Sequence, residues 1–218
     1  DKAISATQKN IENAEALLQS YLNDIYIKEE NLKPLKEISE YIKIQGQHKK
    51  LPYVGMEDIE TRTGKFLSDL NYQEMKSNTF KFNTEHLLYG RLRPYLNKVI
   101  LPDFEGHCST EIFPILVNQN VIKEYLFYWF ISEQTVKKID RTSTGARMPR
   151  ANMNEVAKFK INVPNIENQK EIVKNIQKIE LNINKYILFN YKKITQLNSL
   201  KSSILSQALS GELTKDAA

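Results

Sequence analysis

An α+β fold, one globular domain set between two long helices, is what the sequence predicts, and three observations predict it. At both ends of the chain apolar side chains recur at steps of three and four, the spacing of a single stripe along an α-helix. Between the ends, from Leu32 to Pro164, the pattern changes to short β-branched or aromatic runs punctuated by proline and glycine, the texture of strands and turns. Charge divides at the same places. Residues 1–30 carry 3 basic and 6 acidic side chains, residues 31–165 carry 20 and 15, and residues 166–218 carry 8 and 5. The expected division is therefore a helix over 1–30, a globular domain over 31–165 and a long helix over 166–218.

The first helix rests on Ile11, Ala14, Leu18, Leu22 and Ile25. It must end before Pro34, because the residue preceding a proline is pushed out of the α region. Strands are expected at Tyr41–Ile44, Thr79–Phe82, Lys98–Leu101 and Ile112–Val117. One helix interrupts them from about Ile122 to Ile139, where Tyr125, Leu126, Trp129, Phe130 and Val136 make a wide apolar face. Phe127, Trp129 and Phe130 at helical spacing read as core rather than as stacking platforms. The last helix is expected from about Glu167 to Leu209, with Gly211 as its stop. Its stripe runs through Ile176, Ile179, Ile183, Ile187, Tyr191, Ile194, Leu197, Leu200, Ile204 and Ala208. At 1.5 Å per residue such a helix is roughly 60 Å long, longer than a small domain is wide. A period near 3.5 calls for packing against another helix as an antiparallel coiled coil, within the chain or in a dimer. Asn184, Asn190 and Asn198 are expected to dilute the edges of that seam.

Composition narrows the function. At 218 residues and 41% hydrophobic content the chain has enough apolar material for a core. No run approaches the roughly 18 apolar residues of a membrane span and no basic-then-apolar leader opens the sequence, so a soluble, cytoplasmic protein without a membrane partner is expected. One cysteine, Cys108, excludes an internal disulfide framework. There is no phosphate loop, dinucleotide fingerprint or His-Glu-x-x-His helix. His48, His86 and His107 are scattered; His107 beside Cys108 is at most half a zinc site, and a structural zinc takes four ligands, so no metal is expected. Glu74-Met75-Lys76 with Asp69 upstream has the residue types of a Mg²⁺ nuclease, but the spacing is short and a solvated charged turn is the preferred reading. No catalytic residue is expected.

The net charge of +5 and a pI near 9.0 favour a polyanionic partner. The densest basic stretch is Lys137, Lys138 and Arg141, followed by Thr142-Ser143-Thr144-Gly145-Ala146-Arg147-Met148-Pro149-Arg150. Arg141, Arg147 and Arg150 can fork onto phosphates or guanine edges, while Ser143, Thr144 and the amide freed by Gly145 can bind phosphate oxygens. A second candidate is Gln45-Gly46-Gln47-His48-Lys49-Lys50, with Gln47 to read adenine and Lys49 and Lys50 to hold backbone. A third is Arg91-Leu92-Arg93-Pro94-Tyr95, where Arg91 and Arg93 are expected on one side of a strand. Ordinary solvated surface remains an alternative for each.

Four segments in this order resemble one family. They are Leu87 to Val99 (Leu-Leu-Tyr-Gly-Arg-Leu-Arg-Pro-Tyr-Leu-Asn-Lys-Val), Gly106 to Ile112 (Gly-His-Cys-Ser-Thr-Glu-Ile), Ser143 to Arg150, and Val163-Pro164 leading into the long helix. Together they resemble the specificity subunit of type I restriction-modification systems, with 31–165 similar to one target recognition domain and the flanks similar to the family's spacer helices. The likeness of Leu17–Leu22 to Ile204–Leu209 then corresponds to the spacer repeat of that family. Two departures stand out: one recognition domain where the usual member has two, and Asn168-Gln169 where the family commonly opens its distal helix with Glu-Gln.

The resemblance implies a half-length subunit that reads one half of a bipartite double-stranded DNA target while its helices fix the gap to the other half. It implies a methyltransferase subunit and a restriction/translocase subunit as partners, with S-adenosylmethionine, ATP and Mg²⁺ on those partners and none in this chain. A half-subunit suggests a homodimer through antiparallel spacer helices. The alternatives are a helical scaffold or decoy that occupies the methyltransferase subunit without reading DNA, and behind it the Mg²⁺-dependent nuclease.

Overall fold

The structure, a computed structural model, describes residues 1–27, 30–48, 50–70, 72 and 75–210. Gly211, Lys49 and Glu74 fall outside the described residues. In chain order the elements are α1 (Lys2–Tyr26), β1 (Leu32–Pro34), α2 (Leu35–Ile38), β2 (Ser39–Tyr41), β3 (Gln45–Gly46), β4 (Tyr53–Val54), β5 (Thr79–Phe82) and β6 (Leu87–Gly90). A 3-10 turn over Pro94–Leu96 precedes β7 (Val99–Ile100), β8 (Gly106–Cys108) and β9 (Ile112–Val117). There follow α3 (Lys123–Ile131), α4 (Glu133–Asp140), α5 (Met153–Val156), β10 (Lys160–Asn162) and α6 (Ile166–Leu209). The chain forms two compact units, one of Leu22–Lys174 and one of Asp1–Tyr21 with the chain from Asn175 onward.

In the helical unit, α1 and α6 run antiparallel. Asp1 pairs with Lys201, while Asn10, Ala14 and Leu17 share a shallow groove with Asn182, Ile183 and Tyr186. The expected stripe of α1 is the buried one: Ile11 is buried and Ala14 and Leu18 are half-buried, with Thr7 buried one turn earlier. On α6 the seam repeats every seven residues through Ile176, Ile183 and Asn190, all buried. Asn190 therefore lies in the seam rather than at its edge, its Nδ2 donating to the Tyr186 carbonyl at 2.8 Å, while Asn184 and Asn198 are exposed. Tyr191, one position past the seam, is 51% exposed. Leu200 and Ile204 are exposed as well, so the expected stripe is uncovered at these two positions.

The globular unit contains a four-stranded antiparallel sheet, β2-β9-β6-β7, and a second four-stranded sheet, β3-β5-β8-β4, in which β4 and β8 are parallel. The run expected as one strand at Tyr41–Ile44 instead changes sheets. Ile42 N bonds the Pro114 carbonyl at 2.8 Å, and the Ile44 carbonyl accepts from Lys81 N at 2.9 Å. Val54, Phe80, Phe82, Leu88, Ile100 and Ile112 pack into one core cluster. The strand expected at Lys98–Leu101 shortens to Val99–Ile100, flanked by the turn at Asn97 (φ 45°) and by Pro102.

The single helix expected over Ile122–Ile139 is two. Ser132 is extended (φ −65°, ψ 136°), and its hydroxyl bonds the Trp129 carbonyl and Thr135 Oγ1, each at 2.8 Å. A serine that satisfies the end of one helix from its own side chain competes with continuing it. Every residue from Tyr125 to Ile131 is buried, so α3 is apolar all round rather than on one face, and Phe127, Trp129 and Phe130 are core as read. Tyr89 stacks on Phe130 at 4.8 Å between ring centroids. At the start of α6, Asn165 Oδ1 accepts from Asn168 N at 2.8 Å as an N-cap does. Gln169, fully buried, donates to the Asn120 and Pro164 carbonyls and accepts from Ile122 N.

Candidate nucleic-acid interface

Two of the three basic segments singled out in the sequence meet. β6 ends at Gly90, and the next residues lie between the start of β9 and the segment that follows the 143–150 loop. Arg91 N donates to the Glu111 carbonyl at 2.9 Å, and Ala151 N donates to the Arg91 carbonyl at 2.9 Å. Arg93 N donates to the Pro149 carbonyl at 2.7 Å. Arg91 and Arg93 do not share one side of a strand, because the chain turns at Arg93 into the left-handed region (φ 50°) ahead of Pro94.

The 143–150 loop is closed at its base by reciprocal bonds, Thr144 N to the Arg150 carbonyl at 3.1 Å and Arg150 N to the Thr144 carbonyl at 3.0 Å. Gly145 has φ 94°, and a Cβ there would lie 3.3 Å from the Met148 carbonyl oxygen, so the turn needs a residue at ease with positive φ. Arg147 stands exposed in this loop. Thr144 and Arg141 are also exposed. Ser143 Oγ is buried and has no hydrogen-bond partner, so it does not face an incoming phosphate.

What holds the two segments together is a residue that sequence reasoning left unassigned. One carboxylate, Glu111, takes both arginines: Arg91 Nε donates to Oε2 and Arg150 Nε to Oε1, each at 2.9 Å. The Glu111 side chain is 21% exposed and the arginines 32% and 39%, so the cluster lies partly out of water, where screening is weaker than at a free surface. Arg91 Cζ also sits 5.4 Å from the centroid of the Phe113 ring, and Lys43 Nζ is 5.1 Å from the same centroid, both within cation–π range. Lys43 and Phe113 were likewise not singled out. No local signal marks Glu111, whose nearest charged neighbours in sequence are Glu105 and Asp103.

The second basic segment behaves differently. Gln47 Nε2 donates to the Lys76 carbonyl at 3.0 Å, so this amide braces the fold, and Lys50 is exposed. Among the described residues no hydrogen bond or ion pair joins 45–50 to the Glu111 cluster. His107 and Cys108, neighbours on β8, do not share a site. Cys108 is buried, its thiol donating to the Ile112 carbonyl at 3.6 Å, and burial pushes its pKa above the ordinary range. His107 Nδ1 bonds Thr79 Oγ1 at 2.8 Å. Among the described residues no three His, Cys, Asp or Glu side chains gather as a metal site would require, and no helix is long and apolar enough to cross a membrane.

The family profile described as the type I restriction modification DNA specificity domain matches residues 19–198. The chain belongs to this family. Its sequence is 28% identical over 165 residues to the type I restriction enzyme EcoDI specificity subunit of Escherichia coli, a match covering 72% of this chain and 35% of that one. Its fold is similar to a chain in a structure titled as the basis of complex assembly and conformational transition of the type I R-M system, with a TM-score of 0.73 at 12% identity, covering 95% of this chain and 54% of that chain. It is also similar to the HsdS subunit from Thermoanaerobacter tengcongensis, with a TM-score of 0.63 at 12% identity, covering 95% and 53%.

This specificity chain thus spans about a third of the curated relative and about half of each of the two solved chains. Three of the four segments that carried the resemblance, Leu87–Val99, Gly106–Ile112 and Ser143–Arg150, are those that Glu111 and its two arginines join.

Proposed function

We propose that this type I specificity chain is a non-catalytic DNA-recognition subunit whose domain reads one half of a bipartite duplex target. The observation that supports it most is the joining of Arg91 and Arg150 on Glu111, with Arg147 exposed in the same loop. Arg141, Arg93, Thr144, Gly145, Lys49 and Lys50 are the further candidate contacts. Phosphate contacts position a protein on the duplex and base contacts specify the sequence, and a loop carrying both cations and free amides suits either task.

In this reading the helices fix the distance to the second half-site and carry the methyltransferase subunit, to which the restriction/translocase subunit is added. S-adenosylmethionine, ATP and Mg²⁺ act on those partners, in the cytoplasm where the DNA is. Pairing of two copies through their helices provides the second domain and makes the target an interrupted palindrome. The exposed apolar side chains Leu200, Ile204 and Leu205 of α6 support such pairing.

Footprinting of a genomic duplex library by the purified chain, with and without its methyltransferase subunit, tests the reading, with the same samples sized by light scattering. The expected outcome is protection of one interrupted sequence by a particle containing two recognition domains. Capture of the methyltransferase subunit with no selected sequence would favour the scaffold reading instead. Mg²⁺-dependent cleavage by the chain alone would favour the nuclease.

A further inference from the structure

The arginines of the Glu111 cluster are not equivalent, and the difference lies in which nitrogens remain free. Arg91 spends only its Nε on Glu111, and its guanidinium lies against the Phe113 ring. Among the described residues neither Nη1 nor Nη2 of Arg91 has a partner. Those two nitrogens form the end-on fork that matches paired acceptors such as O6 and N7 of guanine. Arg150 spends Nε on Glu111 and Nη1 on the Met148 carbonyl at 3.2 Å, so half its fork is already used inside the loop. Arg147 is exposed and, among the described residues, has no partner.

Resting on the DNA-recognition reading above, we propose that Arg91 is the base-reading arginine, directed at a guanine edge in the major groove. Glu111 is the residue that positions it, Arg150 ties the 143–150 loop to that carboxylate, and Arg147 contacts phosphate. Holding Nε and one face of the guanidinium in advance removes much of the rotamer entropy that a long side chain otherwise loses on binding. The carboxylate also fixes which way the fork points. A lysine at 91 keeps the charge but has no fork to orient.

The test is selection of bound sequences from a randomised duplex library, with affinity measured across a salt series, for the full chain and for Arg91→Ala, Arg91→Lys, Glu111→Gln and Arg147→Ala. Arg91→Ala is expected to relax preference at one guanine position by about 5- to 150-fold while other positions and the salt slope hold. Arg91→Lys is expected not to restore it. Glu111→Gln keeps every cation and is expected to relax the same position to a smaller extent. Arg147→Ala is expected to weaken all sequences alike and reduce the salt slope by about one.

The proposal is overturned if Arg91→Ala weakens every sequence equally with a reduced slope, or if Glu111→Gln leaves selection at that position intact. Thermal melts of each variant separate loss of fold from loss of reading, and Arg91→Lys with Glu111→Gln carry the test if Arg91→Ala does not fold. A native chain that selects no sequence overturns the recognition reading itself, a result distinct from native selection that the Arg91 variants leave unaltered.

Discussion

In the globular unit, side chains such as Tyr125, Phe130 and Leu88 are enclosed on every side, and their neighbours come from strands and helices far apart in sequence. On the helical unit the buried strip is narrow: Ile183 is buried and Ile179 and Ile187 are half-buried, while Leu181, Leu188 and Phe189, all within two turns of Ile183, are more than half exposed. The two units therefore hold their shape in different ways. A three-dimensional core tolerates a polar group at its margin, whereas a seam interrupted by Thr7 and Asn190 gains little per turn and fixes alignment more than it adds stability. The difference teaches where each unit is sensitive.

The largest expected effect separates the two directly. Phe130→Ala should destabilise the globular unit by about 3–5 kcal/mol, because Phe130 is fully buried against Tyr89 and Trp129. Trp129 is the only tryptophan, so its emission follows this unit in urea while ellipticity at 222 nm follows both. Coincident loss of both signals in the variant would erase the contrast.

Next in size, Ile11→Ala should cost about 2 kcal/mol, the low end for a buried isoleucine, since solvent lies within one turn of the seam. Its expected mark is an earlier ellipticity transition with the Trp129 transition unmoved. An unchanged ellipticity curve would mean that Ile11 contributes nothing to the pairing of the helices.

The smallest effect is a pH dependence confined to the globular unit, because His48, His86 and His107 all lie there. Burial, and then the nearby His48, push the His107 pKa below its ordinary value, and burial does the same to His86. An unfolded imidazole titrates near 6.5, so on acidification the unfolded state takes up protons first and the fold loses stability below about pH 6.5. Above that pH the contribution is fully present. The loss is at most about 1.4 kcal/mol per pH unit for each histidine. Unfolding midpoints at pH 7.5 and 5.5 measure it. His107→Gln should flatten the dependence, and an equal slope in that variant would show that His107 is not its source.

What was legible in the sequence follows the range of the interactions responsible. The stripe of α1 and the bounds of α6 could be read because helical periodicity is local. The break at Ser132 could not, because α3 is apolar all round and periodicity carries no signal there. The two basic segments were legible as composition, but their meeting was not: Glu111 is 20 residues from Arg91 and 39 from Arg150, and nothing in either segment's own pattern points to it. Arg93 was misplaced for the same reason, since its turn answers to Pro149 across the loop. Asn190 was read as an edge residue because a stripe drawn through Tyr191 ignores the seven-residue repeat of Ile176, Ile183 and Asn190.

β1 and β10 give the globular unit a property of a different kind. The chain enters through Leu32–Pro34 and leaves through Lys160–Asn162, and these run antiparallel, side by side. Asn31 N donates to Asn162 Oδ1 at 3.2 Å and Val163 N to the Asn31 carbonyl at 3.0 Å. Entrance and exit are thus about 5 Å apart, the spacing of paired residues in an antiparallel ladder. The chain on either side of the pair is tied in as well: Tyr26 Oη donates to the Tyr125 carbonyl at 2.7 Å, and Gln169 bonds Asn120 and Ile122. A domain closed in this way clasps its own two ends: a change inside it that spares the strand pair and these bonds leaves entrance and exit side by side.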